Sequence, residues 1–299
     1  MSEARRCGTI ALIGAPNAGK STLLNQLVGS KVSIVTPKVQ TTRARVIGIA
    51  MRGAAQLVFI DTPGIFAPKR RLERSMVAAA WAGALDADLV VVLVDAVRGV
   101  DADTARIVDG LAKAGRRAVL ALNKVDRLAR EKLLPLAAQL SARGIFDEVF
   151  MISSLKGDGV GDLADHLARA APEGPWLFPE DQISDIPLRL LASELVREQV
   201  FLQLHQELPY AITVETEEWE EHKDGSVRVA ATIHVAREAH RPIVLGKGGA
   251  QLKRIGAAAR VELGRLIGHQ VHLFLHVRVT EDWTEDRERY NAMRLEFEK

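Results

Sequence analysis

The chain has 299 residues, of which 47% are hydrophobic and 26% charged, with a net charge of +2 and a single cysteine. This length suits two domains with separate cores, and the composition excludes a disordered chain. Cys7 alone excludes an intrachain disulfide, and no stretch approaches the roughly 18 apolar residues of a membrane span. Residues 1–6 lack the apolar core of a secretory signal, so we expect a protein that is cytosolic or at most peripheral on a membrane.

The first motif joins an apolar strand, 9–13, to a segment with helical spacing, 22–28. It has the pattern G-x-x-x-x-G-K-S of a phosphate-binding loop. Glycines allow a tight turn whose N–H groups face phosphate oxygens, the lysine adds a charge for the β- and γ-phosphates, and the serine offers a hydroxyl to Mg²⁺. We assign nucleotide binding to this loop and the next residue: Gly14, Ala15, Pro16, Asn17, Ala18, Gly19, Lys20, Ser21 and Thr22.

Strands and helices alternate through the first half of the chain. Residues 31–43 have no helical period and predict a mobile loop, and the strands 45–50 and 56–60 predict a hairpin. Further strands are predicted at 89–94, 118–122 and 148–152, and helices at 104–114, 130–142 and 163–171. This alternation predicts a mostly parallel, doubly wound α/β sheet.

Three further motifs follow predicted strands, where ligands bind in open α/β sheets. In D-T-P-G the aspartate can hold Mg²⁺ through water and the glycine N–H can meet the γ-phosphate. In N-K-V-D the aspartate carboxylate accepts two guanine N–H groups that adenine lacks, and a serine pair can offer backbone N–H groups to the base oxygen. Together with the first loop they predict a GTP site, to which we add Asp61, Thr62, Pro63, Gly64, Asn123, Lys124, Asp126, Ser153 and Ser154.

Two positions bear on hydrolysis. Either Thr41 or Thr42 should coordinate Mg²⁺ when GTP is bound, and their spacing does not decide between them. Ile65 stands where many GTPases carry a glutamine that orients the attacking water. Because its side chain forms no hydrogen bond, hydrolysis should be slow or arranged by another group.

The composition changes after residue 171, where four prolines without a period predict a linker. A second pattern follows and predicts a smaller α+β domain with a charged tail. Its predicted elements are a helix at 188–205, strands at 211–218, 226–235 and 242–245, a helix at 250–266 and a strand at 271–279.

A G-x-x-G turn in this second domain allows close approach of a nucleic-acid backbone. Residues 236–278 carry eight basic side chains and two acidic ones, so the near-neutral total hides a basic face suited to phosphates. We assign RNA binding to the turn and the nearby basic residues: Arg241, Gly246, Lys247, Gly248, Gly249, Lys253, Arg254 and Arg260. Histidines 240, 269, 272 and 276 match no zinc spacing.

One GTPase domain followed by a type II KH domain resembles the Era family of bacterial ribosome-assembly GTPases. The likeness spans nearly the whole chain and rests on GAPNAGKS, QTTR at 40–43, DTPG, NKVD and ISS at 152–154. The related Der family has two GTPase domains, whereas this sequence has one P-loop. We predict a GTPase domain at 7–174, a linker at 175–187, a KH domain at 188–281 and a tail at 282–299.

The resemblance implies a GTP-hydrolysing switch that binds the 3′ end of 16S rRNA through the KH groove and assists maturation of the small (30S) ribosomal subunit. It also implies GTP/GDP and Mg²⁺ as ligands and peripheral association with the inner membrane. We further expect the protein to be a monomer. The Mg²⁺ ligands would be Ser21, Thr42 and Asp61, with Thr42 chosen by analogy.

Catalysis is assigned to Asn17, Lys20, Thr42 and Gly64. In several relatives with a hydrophobic residue at the position of Ile65, the P-loop asparagine coordinates K⁺, which the resemblance extends to Asn17. Two alternatives remain open: a P-loop phosphotransferase with an unrelated substrate domain, and a membrane-localised regulator whose RNA affinity is incidental.

Overall fold

The computed structural model describes residues 4–204 and 208–297 and divides into two compact units. The first consists of the described residues of Met1–Ser33, Thr42–Asp185 and Tyr290–Lys299, and the second of Ile34–Thr41 and Ile186–Arg289. The segment Ile34–Thr41 therefore packs with residues far from it in sequence. The finer domain boundaries predicted from the sequence stay a prediction.

Six strands form the sheet of the first unit: β1 (Arg6–Gly14), β2 (Val46–Arg52), β3 (Ala55–Asp61), β4 (Leu89–Asp95), β5 (Ala118–Asn123) and β6 (Phe146–Ile152). Their order is β2-β3-β1-β4-β5-β6, and only the β2–β3 hairpin is antiparallel. The predicted mostly parallel α/β sheet is confirmed. Successive strands lie on opposite sides of β1, so the carboxyl end of β1 is a switch point where ligands bind.

Helices cover both faces of this sheet: α1 (Lys20–Val28), α2 (Arg71–Asp86), α3 (Ala102–Lys113), α4 (Leu133–Ser141) and α5 (Val160–Ala170). Alternate residues of β1 enter different cores. Ile10 and Leu12 pack with α1 and α5, whereas Ala11 and Ile13 pack with α2, α3 and α4. Burial on both faces explains the uninterrupted apolar strand sequences.

Helix α2 is absent from the sequence-based prediction. Its buried side includes Leu72, Met76, Ala80 and Ala84, spaced four residues apart. Two of these are alanines and Gly83 is also buried, so the apolar stripe is weaker than in a leucine-rich helix. The short side chains allow this helix to lie close to the sheet.

The proline-rich segment after α5 covers the edge strand β2. Ile183 O accepts a hydrogen bond from Ile49 N (2.9 Å), and the Gln56 carboxamide oxygen accepts from Leu177 N and Phe178 N (2.9 and 3.0 Å). Much of the predicted linker 175–187 is thus fixed to the first unit. Covering an exposed edge also protects it from pairing with another chain.

The second unit contains α6 (Leu188–Gln203), β7 (Ile212–Glu221), β8 (Val227–Val235), α7 (Arg241–Leu245), α8 (Ala250–Ile267) and β9 (Val271–Val279). The strand β8 pairs with β7 antiparallel and with β9 parallel. Valines and isoleucines on one face of this sheet pack against α6 and α8. The smaller α+β domain is confirmed.

In the second unit, one predicted element is wrong and another extends beyond the described residues. The strand predicted at 242–245 is wrong, because α7 occupies these residues. A short apolar run does not distinguish a strand from a buried helix, and Pro242 fits the first helical turn, where its missing N–H costs little. The predicted helix end at His205 lies outside the described residues.

The charged tail also contains structure. A short helix, α9 (Arg287–Ala292), follows a turn with Trp283. The side chains of Trp283 and Tyr290 are buried, at 1% and 0% exposure. Among the residues described, no helix combines the length and hydropathy needed to span a membrane.

Candidate nucleotide site and nucleic-acid groove

The predicted phosphate-binding loop connects β1 to α1 at the switch point of the sheet. A Cβ atom at Gly14 would lie 2.6 Å from the Leu93 carbonyl oxygen, and one at Gly19 would lie 2.3 Å from Asn123 Nδ2. Gly19 also has a φ of +101°. Both glycines are therefore needed for close packing of the loop.

Lys20 lies inside this loop and is only 6% exposed. Its Nζ donates to the carbonyl oxygens of Gly14 and Ala15 at 3.1 and 3.2 Å. Burial lowers the pKa of Lys20 to about 8, and the charge of Asp61 opposes this shift. The ammonium thus stands in a partly desolvated place where attraction to a phosphate is strong.

The three predicted Mg²⁺ ligands lie together. Ser21 Oγ is 2.8 Å from Thr42 Oγ1 and 2.7 Å from Asp61 Oδ2. Asp61 Oδ1 is buried and, within the described structure, has no hydrogen-bond partner. Burial raises the pKa of Asp61. Hydroxyl and carboxylate oxygens are suitable Mg²⁺ ligands, and a bound cation would satisfy the orphan oxygen.

The two threonines that the sequence left open have different surroundings. The Thr41 hydroxyl donates to Lys38 O (2.7 Å) and lies 2.6 Å from Thr36 Oγ1. Thr42 is the one beside Ser21. Its position favours Thr42, and its coordination of Mg²⁺ stays a prediction.

The D-T-P-G stretch is fixed against the same loop. Thr62 Oγ1 donates to Leu12 O (2.9 Å), and Ile65 N donates to Gly14 O (3.1 Å). A Cβ at Gly64 would lie 3.0 Å from Pro16, so Pro63 and Gly64 follow the loop closely. The Ile65 side chain is fully buried in the core. Its side chain therefore plays no part in orienting water.

The side chains of the N-K-V-D residues make different contacts and so have different roles. Asn123 Nδ2 donates to Ala18 O (2.7 Å), and Lys124 Nζ donates to Asn17 O and Asp95 Oδ2, both at 2.6 Å. Both side chains brace the phosphate-binding loop. Asp95, at the end of β4, was not singled out from the sequence; its only signal is a carboxylate at a strand end. Asp126 is left as the residue that can accept hydrogen bonds from a base.

The serine pair differs from the prediction. Ser154 N and Ser154 Oγ donate to Asn123 Oδ1, both at 2.9 Å, and Ser153 N donates to Asp158 O (2.9 Å). Both backbone N–H groups that were expected to meet the base oxygen thus have protein acceptors. The reason is the inward side chain of Asn123, whose carbonyl oxygen lies where Ser154 N–H points. Ser154 therefore ties the loop after β6 to the end of β5.

Asn17 has a φ of +65°, in the left-handed region that asparagine tolerates better than most residues. Its carbonyl oxygen accepts from Lys124, and the carbonyl oxygen of its neighbour Pro16 accepts from Arg98 (3.1 Å). The loop also contains Ala18, whose N–H donates to Ala15 O (3.2 Å), and Thr22 lies in the first turn of α1. No sequence pattern pointed to Arg98.

In the second unit, a groove of about 300 Å³ lies between α8 and β9. Two of the predicted basic residues, Lys253 and Arg260, line it above an apolar floor that includes Leu273 and Leu275. Arg254 is exposed on α8 but does not line the groove. Basic walls over an apolar floor can bind phosphates and bases together.

The G-x-x-G turn leads into α8. A Cβ at Gly246 would lie 2.6 Å from Gln251 Cβ, whereas Gly248 and Gly249 face open space with φ of +60° and +78°. Lys247 is exposed between them. The turn therefore has one packed glycine and two glycines past which a polymer backbone can run.

Comparisons with known proteins agree with this division. Residues 9–124 match the family of 50S ribosome-binding GTPases, and residues 207–284 match the KH domain family. The chain is 56% identical to GTPase Era of Rhizobium meliloti, over 98% of this chain and 94% of that protein. It is 58% identical to GTPase Era of Afipia carboxidovorans, over 98% and 96%.

Two solved structures are similar over nearly the full length. A point variant of Aquifex aeolicus Era bound to GDP·AlF4⁻ has a TM-score of 0.91 at 38% identity, covering 96% of this chain and 98% of that one. Era in complex with MgGDPNP and nucleotides 1506–1542 of 16S ribosomal RNA has a TM-score of 0.92 at 38% identity, covering 97% and 98%.

Proposed function

Because the chain belongs to the GTPase Era family and is therefore a GTPase, we propose that it is a GTP-driven switch that binds the 3′ end of 16S rRNA through its KH domain and assists maturation of the small ribosomal subunit. The observation that carries the RNA part is the open G-x-x-G turn beside a groove with basic walls and an apolar floor. The Era structure in complex with 16S rRNA supports the choice of RNA.

For the nucleotide, we propose Mg²⁺ held by Ser21, Thr42 and Asp61, whose oxygens already lie together. The cation would neutralise charge on the β- and γ-phosphates. Lys20 adds a second positive charge from inside the loop, and the Gly64 N–H meets the γ-phosphate. These roles are supported by the shared location of all these residues around the carboxyl ends of β1 and β3.

Base selection is assigned to Asp126, since Asn123 and Lys124 brace the phosphate-binding loop. A carboxylate that accepts two N–H groups favours guanine over adenine. The remaining residues predicted to contact nucleotide contribute backbone groups and shape. We propose Asn17 as a K⁺ ligand that assists hydrolysis in place of a glutamine.

The proposal includes the domain boundaries 7–174, 175–187, 188–281 and 282–299. It also includes a monomeric, cytoplasmic protein that attaches peripherally to the inner membrane. Cofractionation with membranes after ribonuclease treatment tests the attachment. Protein that leaves the membrane fraction once RNA is digested would contradict a direct association.

The RNA part is tested at Gly248, which faces open space. Gly248→Asp adds a negative charge beside the phosphate path, and Gly248→Asn is the matched control because it has the same shape and also tolerates a positive φ. We expect Gly248→Asp to weaken binding of a 16S rRNA 3′-terminal fragment about tenfold more than Gly248→Asn, about 1.4 kcal/mol of charge repulsion. Equal affinities of the two variants would contradict RNA binding at this turn.

A further inference from the structure

The turn that follows β4 has a fixed shape and lies beside the phosphate-binding loop. Asp95 ends β4, and its backbone oxygen accepts hydrogen bonds from Arg98 N and Gly99 N at 3.0 and 2.9 Å. One carboxylate oxygen of Asp95 accepts from Val97 N (3.0 Å), and the other pairs with Lys124 Nζ (2.6 Å). These contacts fix the direction in which the Arg98 side chain leaves the turn.

The Arg98 guanidinium makes two contacts at once. Its Nη1 donates to Pro16 O in the phosphate-binding loop (3.1 Å), and its Nη2 pairs with Asp101 Oδ2 (2.7 Å). The other carboxylate oxygen of Asp101 accepts from Thr104 N (2.8 Å) and so caps the first turn of α3. Because Ile107 anchors α3 in the core, the guanidinium connects a firmly packed helix to one carbonyl group of the loop.

The carbonyl oxygens of the loop have different kinds of partner. Those of Gly14 and Ala15 accept from Lys20, which is buried inside the loop. The next one, Pro16 O, accepts from Arg98, whose side chain is 46% exposed outside the loop. The direction of the backbone therefore changes at Pro16, and Arg98 holds the carbonyl group at the point of change.

The direction of the Pro16 carbonyl also sets the direction of the next N–H group. In a trans peptide the C=O and N–H bonds point in opposite directions, and no peptide bond among the described residues is cis. Because Pro16 O points to Arg98, the Asn17 N–H points back toward the inner side of the loop. Asn17 has a left-handed φ of +65°, and turns with such a residue form nests of N–H groups that bind anions.

We propose that Arg98 is a positioning residue for GTP hydrolysis, which holds the Pro16–Asn17 peptide so that the Asn17 N–H donates to the oxygen between the β- and γ-phosphates. In the reaction, the water oxygen bonds to the γ-phosphorus while the bond from this phosphorus to the bridging oxygen breaks. The bridging oxygen keeps the electron pair and stays with GDP. One water proton stays on the released phosphate, and the other passes to solvent. An N–H group already held at the bridging oxygen stabilises the charge that grows there.

This inference concerns the hydrolysis of GTP and holds whether or not Asn17 binds K⁺. An interaction that strengthens as charge develops lowers the barrier more than it improves substrate binding. Loss of Arg98 should therefore reduce the rate of hydrolysis more than the affinity for GTP. It should also weaken the binding of GDP with AlF4⁻, which mimics the phosphoryl group during transfer.

The test compares two arginines that carry matched ion pairs. Arg98 pairs with Asp101 at 2.7 Å and Arg106 pairs with Asp103 at 2.8 Å, in both cases three residues apart, and the two arginine side chains are 46% and 44% exposed. Within the described structure, Arg106 forms no hydrogen bond to the phosphate-binding loop. Arg98→Ala and Arg106→Ala therefore remove the same charge and the same kind of ion pair, and they differ in the contact with Pro16.

We expect Arg98→Ala to lower the single-turnover rate of GTP hydrolysis about tenfold, less than the hundredfold or more that follows loss of a donor to the developing charge itself. GTP affinity in a fluorescent-nucleotide titration should change less than about threefold, whereas affinity for GDP with AlF4⁻ should fall about as much as the rate. Arg106→Ala should match the wild type in all three measurements. Asp101→Asn keeps a good helix cap but loses the charge that holds Arg98, and it should lower the rate about threefold, the effect of one exposed ion pair.

Chemical rescue separates the orientation of the loop from a general loss of structure. Guanidinium chloride is added with ionic strength and K⁺ concentration held constant. The free guanidinium ion can enter the space left by Arg98→Ala and donate to Pro16 O. It should raise the hydrolysis rate of Arg98→Ala and leave the rate of Arg106→Ala unchanged.

Three results would overturn the inference. An Arg98→Ala rate within about twofold of the Arg106→Ala rate would mean that the Pro16 carbonyl needs no support for hydrolysis. Equal losses of rate and GTP affinity would mean that the contact supports nucleotide binding in general. A lowered rate that guanidinium does not restore, together with a lowered thermal unfolding midpoint, would assign Arg98 to stability alone.

Discussion

Two glycine-containing turns precede helices α1 and α8, and they are built in opposite ways. In the phosphate-binding loop, both Gly14 and Gly19 are enclosed, and a Cβ atom at either would lie within 2.6 Å of another group. In the G-x-x-G turn, Gly248 and Gly249 face open space. An enclosed loop fits a small ligand of fixed shape, whereas an open turn lets a long polymer pass.

The lysines of the two turns differ in the same way. Lys20 is buried, and burial lowers its pKa to about 8, whereas Lys247 is exposed to solvent. A buried charge interacts strongly over a short distance and is little affected by salt. An exposed charge attracts phosphates weakly, and salt screens it. The first turn should therefore give selectivity, and the second should give affinity shared over many contacts.

The same substitution in both turns gives the largest expected contrast. Gly14→Ala places a Cβ 2.6 Å from a backbone oxygen, so the loop must shift. Overpacking of this kind costs about 3 kcal/mol, and we expect GTP affinity to fall about 150-fold in a fluorescent-nucleotide titration. Gly248→Ala has free space, and we expect a loss of RNA affinity of about fivefold from backbone strain alone.

The thermal unfolding midpoint serves as the control for both glycine variants. If Gly14→Ala binds GTP within about threefold of the wild type, a difference well below the overpacking cost, the enclosure of the loop is not important for its function. If Gly248→Ala loses RNA binding completely, the second turn is as restrictive as the first.

Asp126→Asn tests the selectivity of the enclosed site. The amide has one acceptor oxygen and a donor N–H₂ group, so it cannot accept both guanine N–H groups. Losing a hydrogen bond to a charged group costs about 1.5–3 kcal/mol, and we expect GTP affinity to fall about 50-fold. Xanthosine triphosphate, which carries an oxygen in place of the guanine amino group, should bind Asp126→Asn better than it binds the wild type.

The comparison for this variant is Asn123→Ala, which removes a brace but leaves the carboxylate. It should lower affinity for both nucleotides without changing their ratio. An Asp126→Asn protein that binds GTP as tightly as the wild type would contradict guanine recognition and reopen the phosphotransferase alternative.

Features of the fold and the site that depend on residues close together in sequence could be predicted, whereas features that depend on contacts between distant residues could not. The phosphate-binding loop, D-T-P-G and N-K-V-D are local patterns at strand ends, and their positions followed from the order of strands. The roles of Asn123 and Lys124 did not, because they depend on contacts with Ala18 and Asp95 that only the folded sheet creates.

Two helices, α2 and α7, were missed because their own sequences carry weak signals. The stripe of α2 depends on small residues, and α7 has five residues, too few to show a period. The placement of Ile34–Thr41 in the second unit was also outside the reach of the sequence. Glu198, 3% exposed on α6, accepts from Val35 N at 2.9 Å, and such a contact 163 residues away leaves no local pattern.

A smaller effect is expected within the enclosed loop, where K⁺ should accelerate GTP turnover. Asn17 has a positive φ, so Asn17→Ala would add backbone strain to the loss of the side-chain oxygen. Asn17→Gly removes the oxygen without strain, and Asn17→Asp keeps an oxygen. We expect wild-type GTP turnover to be about tenfold faster in KCl than in NaCl at equal ionic strength, a ratio retained by Asn17→Asp and lost in Asn17→Gly. Equal turnover of the wild type in both salts would remove Asn17 from the mechanism.

The smallest expected effect is on the salt dependence of RNA affinity, which measures the contrast between the turns most directly. If the RNA surface binds through exposed charges, RNA affinity should fall steeply between about 50 and 200 mM KCl, and Lys253→Ala should lower the log–log slope by about 0.7, the value for one single-strand phosphate contact. Over this range that is about a 2.6-fold difference. GTP affinity with Mg²⁺ in excess should change less than RNA affinity, because Lys20 is enclosed. An unchanged slope in Lys253→Ala would mean that this lysine binds a base or packs on the groove floor, and the affinity of the second unit would then come from shape rather than from shared charge.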